Sequence, residues 1–314
     1  MTVQSIDTRF RAYQLGSAGS SYSYFSDGRF VLIEGRYCEN EQSIRQELRI
    51  CGLERINTLH ITSWDQDHCS PSQVKRILED LKPSKIEYPG YEPHTDCGKE
   101  SLKIIKAYQA SSSRPQVIAV TPEYIESLKA ASSYGYRNIM YWPKEIDTEN
   151  ANNNSTVKQF RSGSFNVLSL GDVESTQISS YLRRASTINS EVDVMIMAHH
   201  GADNGFTTST FLKIVRPTLA IATSNYGNHF DHPKPEIREL LHKHDVHLFT
   251  TKTGDVIVRS IGKHTGQYEV INLKAGSTEV SSRYVGNARK GKYLSNNEDT
   301  LRDRRTTHNK GPRR

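Results

Sequence analysis

The chain has 314 residues, of which 35% are hydrophobic and 24% are charged, and its formal net charge is +6. These values are typical of a globular chain, and no stretch approaches the roughly 18 apolar residues that a membrane-spanning helix needs. The first residues also lack the apolar segment of a signal peptide, so we expect a soluble, cytoplasmic protein. The four cysteines have no CxxC spacing and are expected to be free thiols.

The positive charge is concentrated near the C-terminus. Residues 276–314 contain ten Lys and Arg against four Asp and Glu, which leaves 31 bases and 31 acids in the rest of the chain. Because this segment is also poor in apolar residues, its composition indicates a flexible tail. We therefore predict one globular domain over residues 1–275 and a basic tail over 276–314. Such a tail either binds phosphate backbones or only aids solubility, and composition leaves both open.

Strand-like runs alternate with helical patterns along the body, which indicates a layered α/β fold. The runs FRAYQL and RFVLIEG, separated by a Gly/Ser-rich segment, are predicted to be consecutive strands joined through a turn at Asp27-Gly28. A helix is predicted from Glu41 to Cys51, and INTLHIT follows as a strand.

The loop after INTLHIT is unusually rich in possible ligands. Asp65, Asp67 and His68 are three donors within four residues, and Ser70-Pro71 is a typical start for the next helix. Buried together without a cation, two carboxylates and an imidazole would be costly, so the loop favours a metal site. A solvated surface loop is the alternative.

Three further polar clusters each follow an apparent strand. Gly171-Asp172 follows FNVLSL, His199-His200 follows VDVMIMA, and TLAIATSN leads into the segment from Tyr226 to Pro235. Since ligands and catalytic groups gather in the loops at strand ends, four such clusters in order indicate one functional site.

The order of these motifs resembles that of the metallo-β-lactamase superfamily, and in particular its ComEC-like branch, over most of residues 10–260. The acidic loop is similar to that branch's HxDxDH motif, with Ser63 in place of the first histidine. Later segments are similar to its NNNS, TGD, HHGS and GHPHPE motifs, at Asn152–Ser155, Gly171–Asp172, His199–Gly201 and His232–Pro233. The resemblance implies a four-layer αββα sandwich with a metal site at one edge of the two sheets.

The resemblance also implies roles for single residues. Asp67 and His68 would bind the second metal position, Asp172 would bridge, and one of His199 and His200 would complete the set. Asp65 would bind metal at the first position. That position is weakened because Ser63 replaces a histidine and is a poor ligand. One or two divalent ions are therefore expected, most simply manganese or zinc, with magnesium also open.

A metal-bound hydroxide would attack phosphorus, with catalytic roles for Asp67, Asp172 and His232. The residues expected to contact substrate are Ser63, Asn154, Ser155, Asn225 and His232. An aromatic and basic stretch that includes Tyr134, Tyr141 and Trp142 is expected to pack in the core rather than to stack bases.

These expectations favour a nuclease that acts on DNA and binds it through the basic tail, in uptake, repair or phage defence. One alternative is a catalytically silent scaffold that binds nucleic acid or a protein partner. Another is a hydrolase of a small phosphoester or cyclic nucleotide. A protein partner or a homo-oligomer is left open, and no membrane contact is expected.

Overall fold

Two β-sheets face each other in the computed structural model, which describes residues 7–111, 114–129, 138–262 and 266–290. The first sheet has nine strands in the order β15-β14-β13-β1-β2-β3-β4-β5-β6. Its strands are β1 (Thr8–Ala12), β2 (Tyr22–Ser26), β3 (Arg29–Ile33), β4 (Thr58–His60), β5 (Lys85–Pro89), β6 (Gln116–Val120), β13 (Val256–Ser260), β14 (Gln267–Leu273) and β15 (Val280–Asn287). The strands from β3 to β6 are parallel, and the other neighbours are antiparallel.

The second sheet has six strands in the order β12-β11-β10-β9-β8-β7. They are β7 (Ile139–Trp142), β8 (Val157–Phe160), β9 (Val167–Ser169), β10 (Val194–Ile196), β11 (Leu219–Ala222) and β12 (His247–Thr250). Strands β9 to β12 run parallel, so the loops that follow β9, β10 and β11 leave the sheet at the same edge.

Helices cover the outer face of each sheet. They are α1 (Glu41–Ile50), α2 (Pro71–Asp80), α3 (Asp96–Gln109), α4 (Pro122–Lys129), α5 (Thr176–Leu182), α6 (Ser186–Glu191), α7 (Ser209–Val215) and α8 (Pro235–Lys243). One apolar core joins α1, α2 and α3 to the first sheet, and a second joins α5 to α8 to the second sheet. A third core, which includes Phe10, Tyr24 and Phe160, lies between the sheets. The predicted αββα sandwich is therefore confirmed.

Most of the predicted elements are present, but strand β2 was missed because it lies in the Gly/Ser-rich stretch. Its alternation of Tyr22 and Tyr24 with serine is a period-two pattern that places both rings in the core between the sheets. The predicted turn is confirmed, since Asp27 and Gly28 both have positive φ and connect β2 to β3. The expected helix starts at Glu41 and Pro71 are also confirmed.

The predicted tail boundary at residue 276 is wrong, because β15 lies beyond it. This strand pairs with β14. The residues directly after it make hydrogen bonds to residues in and next to the second sheet. The backbone N–H of Arg289 donates to Asp193 at 2.7 Å, and its guanidinium donates to the carbonyl oxygen of Val215 at 2.7 Å. The amine of Lys290 donates to the carbonyl oxygen of Arg161 at 3.0 Å. Any tail therefore begins after residue 290, outside the described residues.

The structure also bears on the expectations about cysteines and membranes. The four cysteines are free thiols, as predicted. Within the described ranges, no helix combines the length and the apolar character needed to cross a membrane. Tyr141 and Trp142 are buried, as the packing interpretation predicts, whereas Tyr134 lies outside the described residues.

Candidate metal centre

The acidic loop after β4 is held in one shape by its own backbone. The carbonyl oxygen of Asp65 accepts hydrogen bonds from the N–H groups of His68 at 3.0 Å and Cys69 at 2.7 Å. On its other side the loop packs against Gly19, whose φ is +141°. A Cβ at Gly19 would lie 2.5 Å from the carbonyl oxygen of Asp67, so only glycine fits there without displacement.

Four side chains converge where this loop meets the strand ends of the second sheet. Asp67, His68, Asp172 and His200 each offer one ligand atom, and these atoms all lie within 4.8 Å of one another. Nε2 of His68 is 2.8 Å from Oδ2 of Asp172, and Nε2 of His200 is 3.3 Å from Oδ2 of Asp67. Asp67 is partly exposed and the other three side chains are buried, so the cluster opens to solvent on the Asp67 side.

The two imidazoles are oriented by partners on their far sides. Nδ1 of His68 lies 3.2 Å from Oε1 of the buried Glu34, and Nδ1 of His200 donates to the carbonyl oxygen of Thr223 at 2.6 Å. Each ring therefore presents Nε2 to the cluster. A carboxylate or carbonyl partner on the distal nitrogen is the usual arrangement for a histidine that binds metal.

The four side chains of the cluster shift one another's pKa values. Burial alone would lower the pKa of His68 and of His200, but the nearby carboxylates, Asp172 foremost, raise both pKa values above the ordinary range. Burial likewise opposes the charge on Asp67 and Asp172, yet the imidazoles hold the pKa of each carboxyl below its usual range. The pocket therefore stabilises two negative carboxylates only together with positive charge.

A divalent cation fits this donor set. Two imidazole nitrogens and two carboxylate oxygens converge, and both rings are already oriented for ligation through Nε2. Cation binding would replace the protons that the carboxylates draw onto the imidazoles. Mixed nitrogen and oxygen donors suit zinc or manganese better than magnesium, which prefers oxygen alone.

Of the two adjacent histidines, the structure brings His200 into the cluster. Nδ1 of His199 lies 2.5 Å from Oε1 of Glu174, and that ring is partly exposed. His199 and His200 both have positive φ, 45° and 55°, which costs a non-glycine residue about 1–3 kcal/mol. This backbone turns the two successive side chains toward different partners.

The first metal position expected from the resemblance is not assembled in the described residues. Ser63 is fully buried, and its hydroxyl donates to Oδ2 of Asp65 at 3.0 Å. Asp65 is not among the four converging side chains. Its carboxylate is thus engaged by Ser63 rather than by histidines.

Three of the residues expected to contact substrate have different surroundings. Asn154 is buried and bonded on both sides to the backbone of Asp147, at 2.7 and 2.8 Å, so it shapes a turn. Ser155 is buried against Gly171, and its hydroxyl has no hydrogen-bond partner among the described residues. Asn225 donates to the carbonyl oxygen of Gly16 at 3.4 Å and joins two loops beside the centre.

His232 lies beside the cluster without joining it. Its ring centroid is 5.8 Å from that of His199 and 6.4 Å from that of His200. Burial, followed by the charges of His200 and His199, lowers the pKa of His232 to about 4. The imidazole is therefore neutral at pH 7.

The orienting residues Glu34, Glu174 and Thr223 were not predicted as parts of the site. Glu34 lies directly after β3, and nothing local in the sequence indicates that its carboxylate reaches His68. The 3₁₀ turn at Ala151–Asn154 also acts indirectly, by positioning Glu174. The side chains of Asn150, which caps this turn, and Asn152 donate to the Glu174 carboxylate at 2.7 and 3.2 Å.

Comparison with known proteins agrees with the resemblance. No protein-family profile matches the chain. The chain is 23% identical over 225 residues to ComE operon protein 3 of Bacillus subtilis, which is 70% of this chain and 26% of that protein. It is 26% identical over 121 residues to Competence protein ComA of Neisseria gonorrhoeae, which is 38% of this chain and 17% of that protein. The predicted resemblance to ComEC-like proteins is confirmed, although the chain spans only about a quarter or less of these relatives.

Solved structures of the metallo-β-lactamase fold are also similar. The metallo-β-lactamase fold protein YhfI of Bacillus subtilis has a TM-score of 0.48 at 11% identity, covering 81% of this chain and 100% of that chain. The metallo hydrolase Igni18 of Ignicoccus hospitalis has a TM-score of 0.47 at 10% identity, covering 79% of this chain and 98% of that chain.

Proposed function

We propose that this protein is a metal-dependent phosphodiester hydrolase that acts on DNA. The observation that carries the proposal is the convergence of Asp67, His68, Asp172 and His200 at the edge of the sandwich. DNA is favoured as the substrate because the chain resembles competence proteins. The seven Lys and Arg against three acids in residues 291–314 also suit a phosphate backbone.

The four side chains would hold one divalent cation, zinc or manganese, through Nε2 of both histidines and one oxygen of each carboxylate. When bound, such an ion lowers the pKa of water and neutralises charge on a phosphoryl oxygen. Asp67 is the most exposed of the four and is placed to accept a hydrogen bond from a water molecule that enters from solvent.

His232 contributes a hydrogen bond rather than a proton. Its lowered pKa, about 4, favours the neutral imidazole at pH 7, and a neutral ring suits hydrogen bonding better than proton donation from the charged form. Its Nδ1 is buried, so a substrate contact would be made through Nε2. A neutral imidazole beside the cluster suits a contact to a phosphoryl oxygen of the substrate.

The test is cleavage of plasmid and single-stranded DNA, and of a chromogenic phosphodiester, after chelator treatment and readdition of Mn²⁺, Zn²⁺ or Mg²⁺. We expect activity only with added ion. A bound cation contributes several kcal/mol to such reactions, so Asp172→Asn should lower the rate about 100-fold or more and remove bound metal. Asp27→Asn, in an exposed turn, is the matched control and should change neither. Cleavage that persists in excess chelator contradicts the proposal.

A silent scaffold is the second candidate, favoured by the buried Ser63 where relatives of the ComEC-like branch have a histidine. It predicts protein that binds DNA but contains no stoichiometric metal after purification without chelator. Elemental analysis of that protein separates the two candidates.

A further inference from the structure

The loop between β11 and α8 displays two aromatic side chains in water. Tyr226 is 82% exposed and Phe230 is 69% exposed, the two highest values among the exposed large hydrophobic residues of the described chain. Single exposed hydrophobic side chains are ordinary on a protein surface. Two exposed rings within five residues, one of them stacked on His232 beside the candidate metal cluster, indicate a contact surface.

The loop that carries these rings is tied at its base. The side chain of Asn228 accepts from the N–H of His232 at 2.6 Å and donates to the carbonyl oxygen of Asn225 at 2.9 Å. Ser224 donates to the carbonyl oxygen of His232 at 3.0 Å. The loop that carries both rings is therefore held by hydrogen bonds, and this lowers the entropy cost of ordering the rings against a ligand.

A series of rings connects the loop to the metal cluster. The ring of Phe230 lies nearly parallel to that of His232, with centroids 5.6 Å apart and an interplanar angle of 14°. His232 in turn lies nearly parallel to His200 at 6.4 Å and 19°. Phe230 is thus the outer, solvent-facing member of a series that begins at a candidate metal ligand.

We propose that Tyr226 and Phe230 form a stacking subsite for unpaired nucleobases. A flat apolar ring next to a phosphodiester centre suits a base whose face is free, because every base has such a face. In a duplex these faces are covered by the neighbouring base pairs. The subsite therefore gives the protein a preference for single-stranded or frayed nucleic acid, independent of sequence.

The charge of the loop is compatible with this ligand. Its carboxylate, Asp231, lies 3.8 Å from the amine of Lys252, which offsets its repulsion of a phosphate backbone. The proposal rests on the proposed function in taking a nucleic acid as the ligand and in assigning the adjacent phosphate to the metal cluster. The binding of bases to the rings is a separate property that needs no cleavage.

The experiment measures binding of the full chain to short labelled oligonucleotides by fluorescence anisotropy at fixed salt. Phosphorothioate linkages keep the probes intact. Three probes of equal length are compared: a single strand, its duplex, and an abasic strand that keeps the backbone but lacks bases. Since stacking contributes about 1–3 kcal/mol per base, Tyr226→Ala and Phe230→Ala should each weaken single-strand binding about 10-fold. Duplex and abasic binding should change less than about twofold by the same reasoning.

Conservative and distant variants sharpen the result. Tyr226→Phe and Phe230→Tyr retain a ring and should bind single strands as the parent chain does. Val285→Ala removes a side chain that is 55% exposed on β15, far along the first sheet, and should have no effect. Equal losses on all three probes would mean that the rings act through the nucleic-acid backbone or the fold, and no loss on the single strand would leave the rings to a protein partner. Either result overturns the subsite.

The outcomes also separate this inference from the proposed function. Ring-dependent binding of single strands by a protein that cleaves no phosphodiester with any ion would leave the subsite standing and reject the hydrolase. Metal-dependent cleavage with ring-independent binding would do the reverse.

Discussion

His199 and His200 follow each other in the chain, yet their imidazoles have different partners. Nδ1 of His199 lies by Glu174, whereas Nδ1 of His200 donates to Thr223 and its Nε2 faces Asp67. In the same way Glu34 orients His68. Both rings thus have an acceptor on Nδ1, and the position of Nε2, which faces Asp67 in His200, decides which of the two joins the cluster.

Glu34→Gln is predicted to weaken metal binding without unfolding the protein. The amide is nearly isosteric but removes the negative charge behind His68, so the ring is a poorer donor and is less firmly oriented. Changes to such partners lower metal affinity about 10- to 100-fold. The measurement is a competition titration with a chromogenic zinc chelator, with circular dichroism to establish that the fold is retained.

Glu174→Gln is the matched control for Glu34→Gln, because it alters the same kind of contact at His199. It should leave metal affinity unchanged. Equal losses in the two variants would make His199 a ligand and would show that the assignment of His200 alone is wrong.

Strands β4, β5 and β8 share a buried ionic group that joins the two sheets. Glu87 on β5 accepts a hydrogen bond from Lys158 on β8 at 2.5 Å, and Lys85 lies 2.6 Å from its other oxygen. His60 on β4 lies 2.9 Å from the same carboxylate. Burial alone would raise the pKa of Glu87, but these partners, Lys158 foremost, hold it well below the ordinary value.

Glu87→Gln is predicted to destabilise the protein by about 3 kcal/mol at pH 7, because it leaves the buried Lys158 without its counter-charge. The sign with pH follows from the lowered pKa. The stabilisation from the carboxylate is present above about pH 4, where an unfolded carboxyl is ionised, and is lost as the pH falls further. The stability difference between parent and variant should therefore shrink below about pH 4.

Urea unfolding at pH 7 and at acid pH measures this difference. Glu100→Gln, which removes an exposed partner of Lys103 on α3, is the control and should change stability by less than about 1 kcal/mol. A difference between parent and Glu87→Gln that does not depend on pH would mean that the pKa of Glu87 is the same in the folded and the unfolded protein, and a difference that grows below pH 4 would mean that burial raises it.

At the scale of the whole chain, the position of β15 means that two C-terminal truncations should have different effects, although composition alone would treat both as removal of a basic tail. Deleting residues 291–314 removes seven Lys and Arg but no described strand. Deleting residues 276–314 also removes β15, together with the contacts of Arg289 and Lys290 to the second sheet.

We predict that the shorter deletion preserves turnover of a small chromogenic phosphodiester and flattens the salt dependence of DNA binding. If about half of the seven bases contact phosphates, the log-log slope should change by roughly 3 units. The longer deletion should in addition lower the thermal unfolding temperature. Equal salt slopes for the full chain and the shorter deletion would exclude residues 291–314 as a DNA-binding segment.

The sequence by itself determined the layered fold and the order of the polar motifs. Strand and helix periods are local properties, and motifs such as Gly171-Asp172 and His199-His200 follow directly from apolar runs that must be buried strands. Strand β2 was missed because its serines suggested a loop, although the tyrosines between them follow the strand period.

Only the tertiary structure decided which of these side chains meet. His68 and Asp172 are 104 positions apart, and His200 and Asp67 are 133 positions apart, so their contacts depend on how two sheets pack rather than on any local pattern. The same applies to Glu34 behind His68 and to Asp193, which fastens Arg289 after β15 across 96 positions. Such contacts arise because burying the apolar faces of both sheets brings the strand ends to a common edge. The periodicity of the sequence predicts which side chains are buried, but it does not predict which strands become neighbours.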